Sequence, residues 1–533
     1  MDGAFPGLRG AALAVLLVLV HASAGAQTPK RGGVLTLLPL TVPSSLSPHE
    51  ESTMSTLTAA APCFNNLVTF DSRKPHESVD SVVPELAERW AWQDGGRALV
   101  FFLRKGVKWH DGQPFGAKDV KYTFDMVRGA PEAEGKLRIN PRQDWYANVT
   151  AIEATDPLTV VFRLKRPQPS LLVLLASDYS PVYPAHVNVR EFRNRCMGTG
   201  PFRFKEYRLG EVLVLERNPD YFLPDRPYLD AIRVVMIEER SSQVAALVVG
   251  QADINSVSWS RVNAEQAKRS QPKLVVVETS TDVNDNIPIN VTRAPFGDVR
   301  LRRAVDLALD RKAYIAAVRQ GGATIGTSLL PPPRGVWGMP PAEVARLPGR
   351  SDGATGRAEA KKLLAEAGYG PDKPLQVAVT TRSAPTYVEV ASWVVDQLRQ
   401  VGIQGTVDQV DTGVWFSRLT RRDFQIGVNQ TGNGVDDPDA NFYQNYKCGS
   451  PRNYTDYCSP EVDGLIDEQS QTTDPAKRLK LVRELERRLQ RDGARVIVGW
   501  PTRYVVHWPH VKGWIPSASM HNHNRMQDVW LDK

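Results

Sequence analysis

Apolar and polar positions alternate in short runs along much of this chain. Between the runs lie stretches in which apolar residues recur every three or four positions. The densest succession is at residues 83–125. Leu86 and Trp90 stand four apart, which predicts one helical face over residues 85–90. Asp94-Gly95-Gly96 breaks that pattern with residues that tolerate positive φ. Residues 98–103 form a β-type run, 104–106 a turn, and 107–110 alternate again, so a hairpin is predicted across 98–110. Asp111-Gly112 turns once more, and a helix begins at Ala117. Strands are predicted at 33–38, 68–70, 151–154 and 159–164, the last two separated by the Asp156-Pro157 turn. Helices are predicted over 53–67 and from Ser170. Alternation at 202–209 and 212–217 predicts a strand pair. Residues 233–237 read as a buried strand, 241–249 as a helix capped by Gly250, and Asp253-Ile254 as the next strand start. That order is a βαβ unit, the building block of a parallel sheet.

The second half repeats this alternation of element types. A strand is predicted at 286–290. In the following helix Val299, Arg303 and Leu307 share one line and Leu301, Val305 and Leu309 another, a broad apolar surface that predicts burial. Helices follow at 357–367, stopped by Gly368, and at 387–401, ended by Gly402; strands lie at 375–379 and 424–428. A long helix at 474–491 carries the stripe Leu479, Val482, Leu485 and Leu489, and a strand follows at 496–500.

The chain has 533 residues, 42% hydrophobic and 23% charged, which is ordinary globular composition. Length alone predicts two to four domains, each able to bury a core. The N-terminus reads as a secretory signal. Arg9 precedes the apolar residues 11–20, and small residues follow to a cleavage site after Ala26. Such an apolar run is short of the ~20 residues a bilayer span needs. No cysteine sits at that site to carry a lipid anchor. The mature chain is therefore expected to be soluble and exported. The net charge of +7 comes from 66 basic and 59 acidic residues spread along the chain. Without a dense basic run interleaved with aromatics, nucleic-acid binding is not expected.

Export makes disulfides permissible. Cys448 and Cys458 flank a turn-rich loop that could close easily. For Cys63 and Cys196 the sequence leaves pairing open. No GxSxG, HExxH, P-loop or GxGxxG motif occurs, so no catalytic residue and no cofactor are assigned. The carboxylates of Asp436-Asp437-Pro438-Asp439 are read as turn chemistry first. His507, His510, His521 and His523 crowd the C-terminus, but no cysteine or carboxylate stands at ligand spacing, and no metal is assigned.

Several ordered blocks carry a family resemblance: LAERW, FFLRKGVKWHDGQPFGAKDV and Tyr122-Thr123-Phe124, then GTGPF at 198–202, RNPDY at 217–221, GQADI at 250–254 and DVRLRRA at 298–304. Together they resemble the large, family 5 solute-binding proteins of ABC importers for peptides, opines and nickel. The resemblance implies an α/β, two-lobed periplasmic-binding-protein-like fold of the large class with an extra subdomain, mixed sheets and two hinge crossovers. It places a signal peptide at 1–26, lobe I with the extra subdomain at 27–286, lobe II at 287–499 and a return segment at 500–533, with crossovers at 286–290 and 496–500. It also implies a Cys448–Cys458 bridge. The implied function is capture of a peptide-like or other small polar or anionic solute in the periplasm by a monomer, and its delivery to an inner-membrane ABC permease, without catalysis. The alternatives are an exported ligand-dependent sensor or chaperone, and an exported hydrolase on the same fold.

The ligand candidates lie in lobe II. Arg382 resembles the relatives' arginine that holds a ligand carboxylate, a task its forked guanidinium suits. Asn433 stands where peptide-binding relatives carry an aspartate for the α-ammonium. An amide accepts a hydrogen bond but brings no countercharge, so Asp436 or Asp437 would have to compensate. Trp415 is placed with them as a ligand contact.

Overall fold

Two separate sheets organise the chain, and the strands that build them show why. The computed structural model describes residues 28–533 except 75–76, 256–258, 327–329, 332–335, 348, 351–352, 518, 520 and 523. The predicted signal peptide therefore lies outside the described residues. No helix among the described residues is long and apolar enough to cross a membrane.

The first sheet has seven strands in the order Val275–Thr279, Arg503–His507, Ile254–Asn255, Val34–Leu38, Ala231–Val235, Val212–Arg217 and Phe202–Arg208. Val34–Leu38 runs parallel to both of its neighbours. The helix Arg240–Val248 joins those two neighbours, as the βαβ reading expected. The second sheet has four antiparallel strands, ordered Ala323–Ile325, Arg495–Pro501, Val283–Pro288 and Asn429–Gly432. Beside it, Leu375–Arg382 lies between Ile403–Val410 and Ile426–Gly427 in a parallel three-stranded sheet. Each sheet buries its own apolar face. Leu35, Leu37, Phe101, Phe124 and Val505 belong to one core, and Ile287, Leu301, Val379, Leu398 and Val498 to another.

The extra four-stranded sheet is Ala87–Gln93, Ala98–Leu103, Thr159–Leu164 and Val149–Asp156, in that order. This corrects the helix read over 85–90. Trp90 pairs with Phe101 and Trp92 with Leu99. A spacing of four is also an even number, so Leu86 and Trp90 fit a strand face as well as a helical one. The hairpin therefore joins 87–93 to 98–103 across Gly95 at φ 57°. The stretch read as its second strand is a loop, closed by Trp109 N to Gln113 O at 2.8 Å and Phe115 N to Val107 O at 3.0 Å.

Other boundaries also shift. The helix read over 53–67 is Met54–Ala60 followed by one tight turn, Ala61–Cys63, because Pro62 has no N–H to continue it. The helix Val299–Ala308 buries Leu301, Ala304, Val305 and Ala308, while Val299 and Arg303 face solvent. The long helix Pro475–Asp492 buries Val482, Leu485 and Leu489 as its stripe predicted, and leaves Leu479 half-buried.

The chain changes sheet twice. Residues 280–282 lead from Val275–Thr279 to Val283–Pro288, and Thr502 alone separates Arg495–Pro501 from Arg503–His507. Segments 286–290 and 496–500, read as the crossovers, instead lie within or directly against the second sheet. The two connections run side by side, since Val275–Thr279 pairs with Arg503–His507 and Val283–Pro288 with Arg495–Pro501.

Both cysteine pairs are bridged, Cys448 to Cys458 and Cys63 to Cys196. The second bridge explains part of the GTGPF block. A Cβ on Gly198 or Gly200 would stand 2.2–2.3 Å from the Cys63 carbonyl group, and Gly200 N donates to Cys63 O at 2.9 Å. Only glycine permits that approach.

Candidate functional site

One face of the second sheet is polar and buried. Asn284 pairs directly with Thr431 and Asn286 with Asn429, so these four side chains share one face. Asn286 Nδ2 donates to Asn284 Oδ1 and to Thr431 Oγ1, both at 2.9 Å. Asn284 Nδ2 donates to the Thr431 carbonyl at 3.0 Å.

Two arginines rest on this floor. Arg382 ends the strand Leu375–Arg382 rather than following it, and its Nη2 donates to Asn429 Oδ1 at 2.5 Å. Its guanidinium lies 3.9 Å from the Tyr387 ring and 5.4 Å from Phe416. Arg495, 5% exposed, donates from Nη1 to Asn286 Oδ1 at 3.1 Å. Its Nε and Nη2 are buried without a hydrogen-bond partner, as is Arg382 Nε.

Two more arginines meet above the floor. Arg142 of the first half and Arg452, in the loop closed by Cys448–Cys458, both donate from Nη1 to Ser52 Oγ, at 3.3 and 3.4 Å. Arg142 is 3% exposed and stacks 3.8 Å from the Tyr179 ring and 5.2 Å from Trp145. Nε of each is buried and unpartnered. Burial, and then the charge of Arg452, pull Arg142 down to about 10, so it stays protonated at neutral pH. Burial likewise lowers Arg495. The four guanidiniums bond to neutral acceptors, and among the described residues none pairs with a carboxylate. The charge of Arg452 bears on Asp144, whose Oδ2 accepts from Ser450 Oγ at 2.6 Å.

The loop after the second sheet closes the arrangement. Gly434 O accepts from Asn522 Nδ2 at 2.8 Å, and the Gly434 backbone lies against Trp145 and Tyr179. His521 Nδ1 bonds Tyr179 OH at 3.1 Å, and its Nε2 is unpartnered beside Gly432. Burial, reinforced by Arg142, Arg452 and Arg503, holds His521 down at about 3, so the ring is neutral.

The remaining sequence candidates are placed as follows. Asn433 is buried, and its Oδ1 accepts from Asn441 Nδ2 at 2.6 Å. Asp437 is not open to a ligand. It caps the helix Pro438–Asn445 through Asp439 N at 2.9 Å, and both its oxygens take Arg478, at 2.7 and 2.9 Å. Trp415 is fully buried against Leu419 and Phe424, with its ring beside Gly427, so it is core rather than cleft wall. Arg142, Arg452 and Arg495 were not among the sequence candidates, because isolated arginines carry no motif and only the fold brings them together; His521 was weighed only as a metal ligand.

Asp436 is half-buried, with its Oδ1 shielded and Val336 N donating to its Oδ2 at 3.0 Å, and desolvation of the carboxyl pushes it up to about 7. A carboxyl raised on folding adds stability that is complete below its unfolded value and lost as pH rises through the folded value. Asp436→Asn is therefore expected to leave stability little changed near pH 4 and to raise it by a few kcal/mol near pH 8, since each tenfold change in proton affinity is worth ~1.4 kcal/mol. Urea melts at both pH values measure the difference.

Among the described residues no group of three histidines, cysteines or carboxylates could hold a metal ion. His510 Nε2 meets Asp253 Oδ1 at 2.7 Å, His507 Nδ1 bonds its neighbour's carbonyl, and His523 lies outside the described residues.

Comparison with known proteins gives one consistent result. The family model for bacterial extracellular solute-binding proteins, family 5 middle, matches residues 81–453. Di/tripeptide-binding protein 2 of Pseudomonas aeruginosa is 26% identical over 503 residues, covering 89% of this chain and 91% of that one. Heme-binding protein A of Haemophilus influenzae is 24% identical over 479 residues, 85% and 84% of the two chains. Among solved structures, the periplasmic binding protein DppA of Helicobacter pylori in complex with the peptide STSA superposes with a TM-score of 0.83 at 23% identity, over 95% of this chain and 99% of that one. AgaA in complex with agropinic acid, from A. tumefacien R10, superposes with a TM-score of 0.81 at 22% identity, over 94% and 99%.

Proposed function

Because the chain belongs to the family 5 bacterial extracellular solute-binding proteins, we propose that it captures a small anionic or peptide-like solute between its two halves in the periplasm and hands it to an inner-membrane ABC permease. One observation carries the choice of solute: four guanidiniums, Arg142, Arg382, Arg452 and Arg495, keep buried N–H groups unpartnered, and the charge of Arg452 bears on both Arg142 and Arg495. Buried charge without an opposite charge is costly, and an anionic solute supplies what the described residues do not. Relatives are solute-binding proteins rather than enzymes, and their names cover di- and tripeptides, heme and agropinic acid. The scaffold alone therefore does not choose the cargo; the residues in the cleft do.

Asn433 narrows the choice. Its amide carries no charge and Oδ1 already accepts from Asn441, so it brings no countercharge to a free α-ammonium. Free-amine di- and tripeptides are expected to bind more weakly than N-blocked analogues, as thermal-shift titration would measure.

The halves close about residues 280–282 and Thr502. A solute that touches both halves stabilises the closed form by its differential affinity for that form. Native mass spectrometry of freshly purified protein, followed by small-angle scattering with and without the recovered solute, tests the reading. Copurification of an anionic compound and compaction on its return are expected. A saturated protein that scatters like the empty one would remove the capture mechanism. For the recovered solute, Arg382→Ala is expected to weaken binding by ~10²-fold, the loss of one charged partner from a buried pair. Unchanged affinity by calorimetry would take Arg382 out of the site.

A further inference from the structure

We infer that the solute carries two separate anionic groups, one gripped between Arg142 and Arg452 across the mouth of the cleft, the other laid on the asparagine floor between Arg382 and Arg495. This rests on the solute-capture reading above and goes beyond it by dividing the cleft into two anion subsites. The mouth pair converges on a single atom, Ser52 Oγ, so the two guanidiniums stand no more than two hydrogen-bond lengths apart. They come from opposite halves: Arg142 precedes the extra sheet's strand Val149–Asp156, and Arg452 lies in the loop between the helices Pro438–Asn445 and Pro460–Gln471. Two like charges at that separation, one of them 3% exposed, repel each other when the halves meet. An anionic group between them turns that repulsion into two charge-assisted hydrogen bonds.

The floor pair is built differently. Arg382 and Arg495 are fixed by neighbouring asparagines of one sheet face, Asn429 and Asn286. Both belong to the second half, so an anion there does not cross the cleft. The two subsites thus divide the work. The floor holds solute in the open protein, and the mouth couples solute to closure. Tyr454 stands among these groups, within electrostatic reach of Arg142 and Arg495, and Tyr179 provides a flat wall under Arg142. Asp144 tempers the charge of Arg452 but accepts from Ser450, and Glu50 is engaged by Arg193.

Four probes test the division in low-salt buffer: glutarate and N-acetylglutamate with two carboxylates, acetate with one, and glycylglycine as a zwitterion. The two dicarboxylates are expected to raise the thermal midpoint and compact the protein in scattering, at concentrations where acetate does neither. Arg452→Gln is expected to abolish compaction and weaken glutarate binding about tenfold or more, the equivalent of one lost charged hydrogen bond. Arg142→Lys keeps the charge but loses the fork, and is expected to fall between that variant and the wild type. Arg382→Gln is expected to weaken glutarate binding without restoring compaction by acetate. Equal effects of acetate and dicarboxylates, or full compaction of Arg452→Gln by glutarate, would overturn the two-subsite inference. A response to glycylglycine alone would overturn it too while leaving solute capture intact. Silence from all four probes refutes the dianion. Capture itself is judged separately, by the copurified solute.

Discussion

Replacing Arg525 with methionine is expected to lower the stability of the first half by about 3–5 kcal/mol, the range for removing one partner from a buried charge cluster. Arg525 is 5% exposed and lies between two carboxylates that are themselves buried. Its Nη1 donates to Asp178 Oδ1, and its Nη2 to Glu85 Oε2 at 3.2 Å. The other lone pairs of those acids are already used. Asn524 Nδ2 donates to Asp178 Oδ2 at 3.0 Å, and Asn65 and Asn66 donate to Glu85 at 2.7 and 2.6 Å. Nothing nearby can replace the guanidinium, so methionine leaves two buried anions without a cation. Burial already holds Glu85 above its ordinary range with Arg525 in place. In the variant it rises further, so the deficit shrinks in acid and is largest at neutral pH. Urea unfolding followed by tryptophan fluorescence at pH 5 and 7.5 measures both the loss and its pH dependence. A midpoint within experimental error of wild type at pH 7.5 would contradict the assignment.

Arg478→Met is expected to have a loss of the same order, but one centred on the cleft. Arg478 is 6% exposed and grips both oxygens of Asp437, with Asp439 Oδ1 3.5 Å away. Those aspartates fix the start of the helix Pro438–Asn445, which carries Asn441, the partner of Asn433. Ser170 of the first half donates to Asp439 Oδ2 at 2.5 Å, so the cluster also ties the halves together. Removing the cation leaves adjacent buried carboxylates facing each other. Hydrogen exchange is expected to accelerate through residues 431–445 before it does elsewhere. Asp437→Asn added to Arg478→Met should restore part of the stability, and the double-mutant cycle gives the coupling. A variant that loses stability without faster exchange in 431–445 would show that the cluster does not hold the loop.

The parts of the fold that were legible in the sequence are those where one period dominates. The strand Ala98–Leu103 and the helices Ala117–Arg128 and Pro475–Asp492 carry clean patterns and clear stops. Ile403–Val410 went unassigned because it is the edge of its sheet and offers few apolar positions, with Gln404, Asp408 and Gln409 turned to water or half-buried. The helices Pro438–Asn445 and Pro460–Gln471 have buried faces that include polar residues such as Asn441 and Gln469, and Thr412–Thr420 buries only Trp415 and Leu419, so none shows a clear apolar stripe. The site shows the same limit. Arg382 could be proposed from the sequence because it lies near a strand end in a familiar order of elements. Arg142, Arg452 and Arg495 meet only after the chain has crossed twice between its sheets, and nothing local marks that meeting.

The paired connections at 280–282 and Thr502 have a mechanical consequence. Two short struts whose flanking strands are joined by ladder hydrogen bonds are expected to bend more easily about one axis than to twist. The device is a pivot with a single soft direction, and travel grows with distance from it. Asp282 and Arg503 sit at the connections themselves, whereas Arg452 is carried on the loop closed by Cys448–Cys458. Cargo preference and release timing are therefore separable traits. Substitutions at Arg452 are expected to change what is carried, and substitutions at 280–282 or Thr502 how long it is kept.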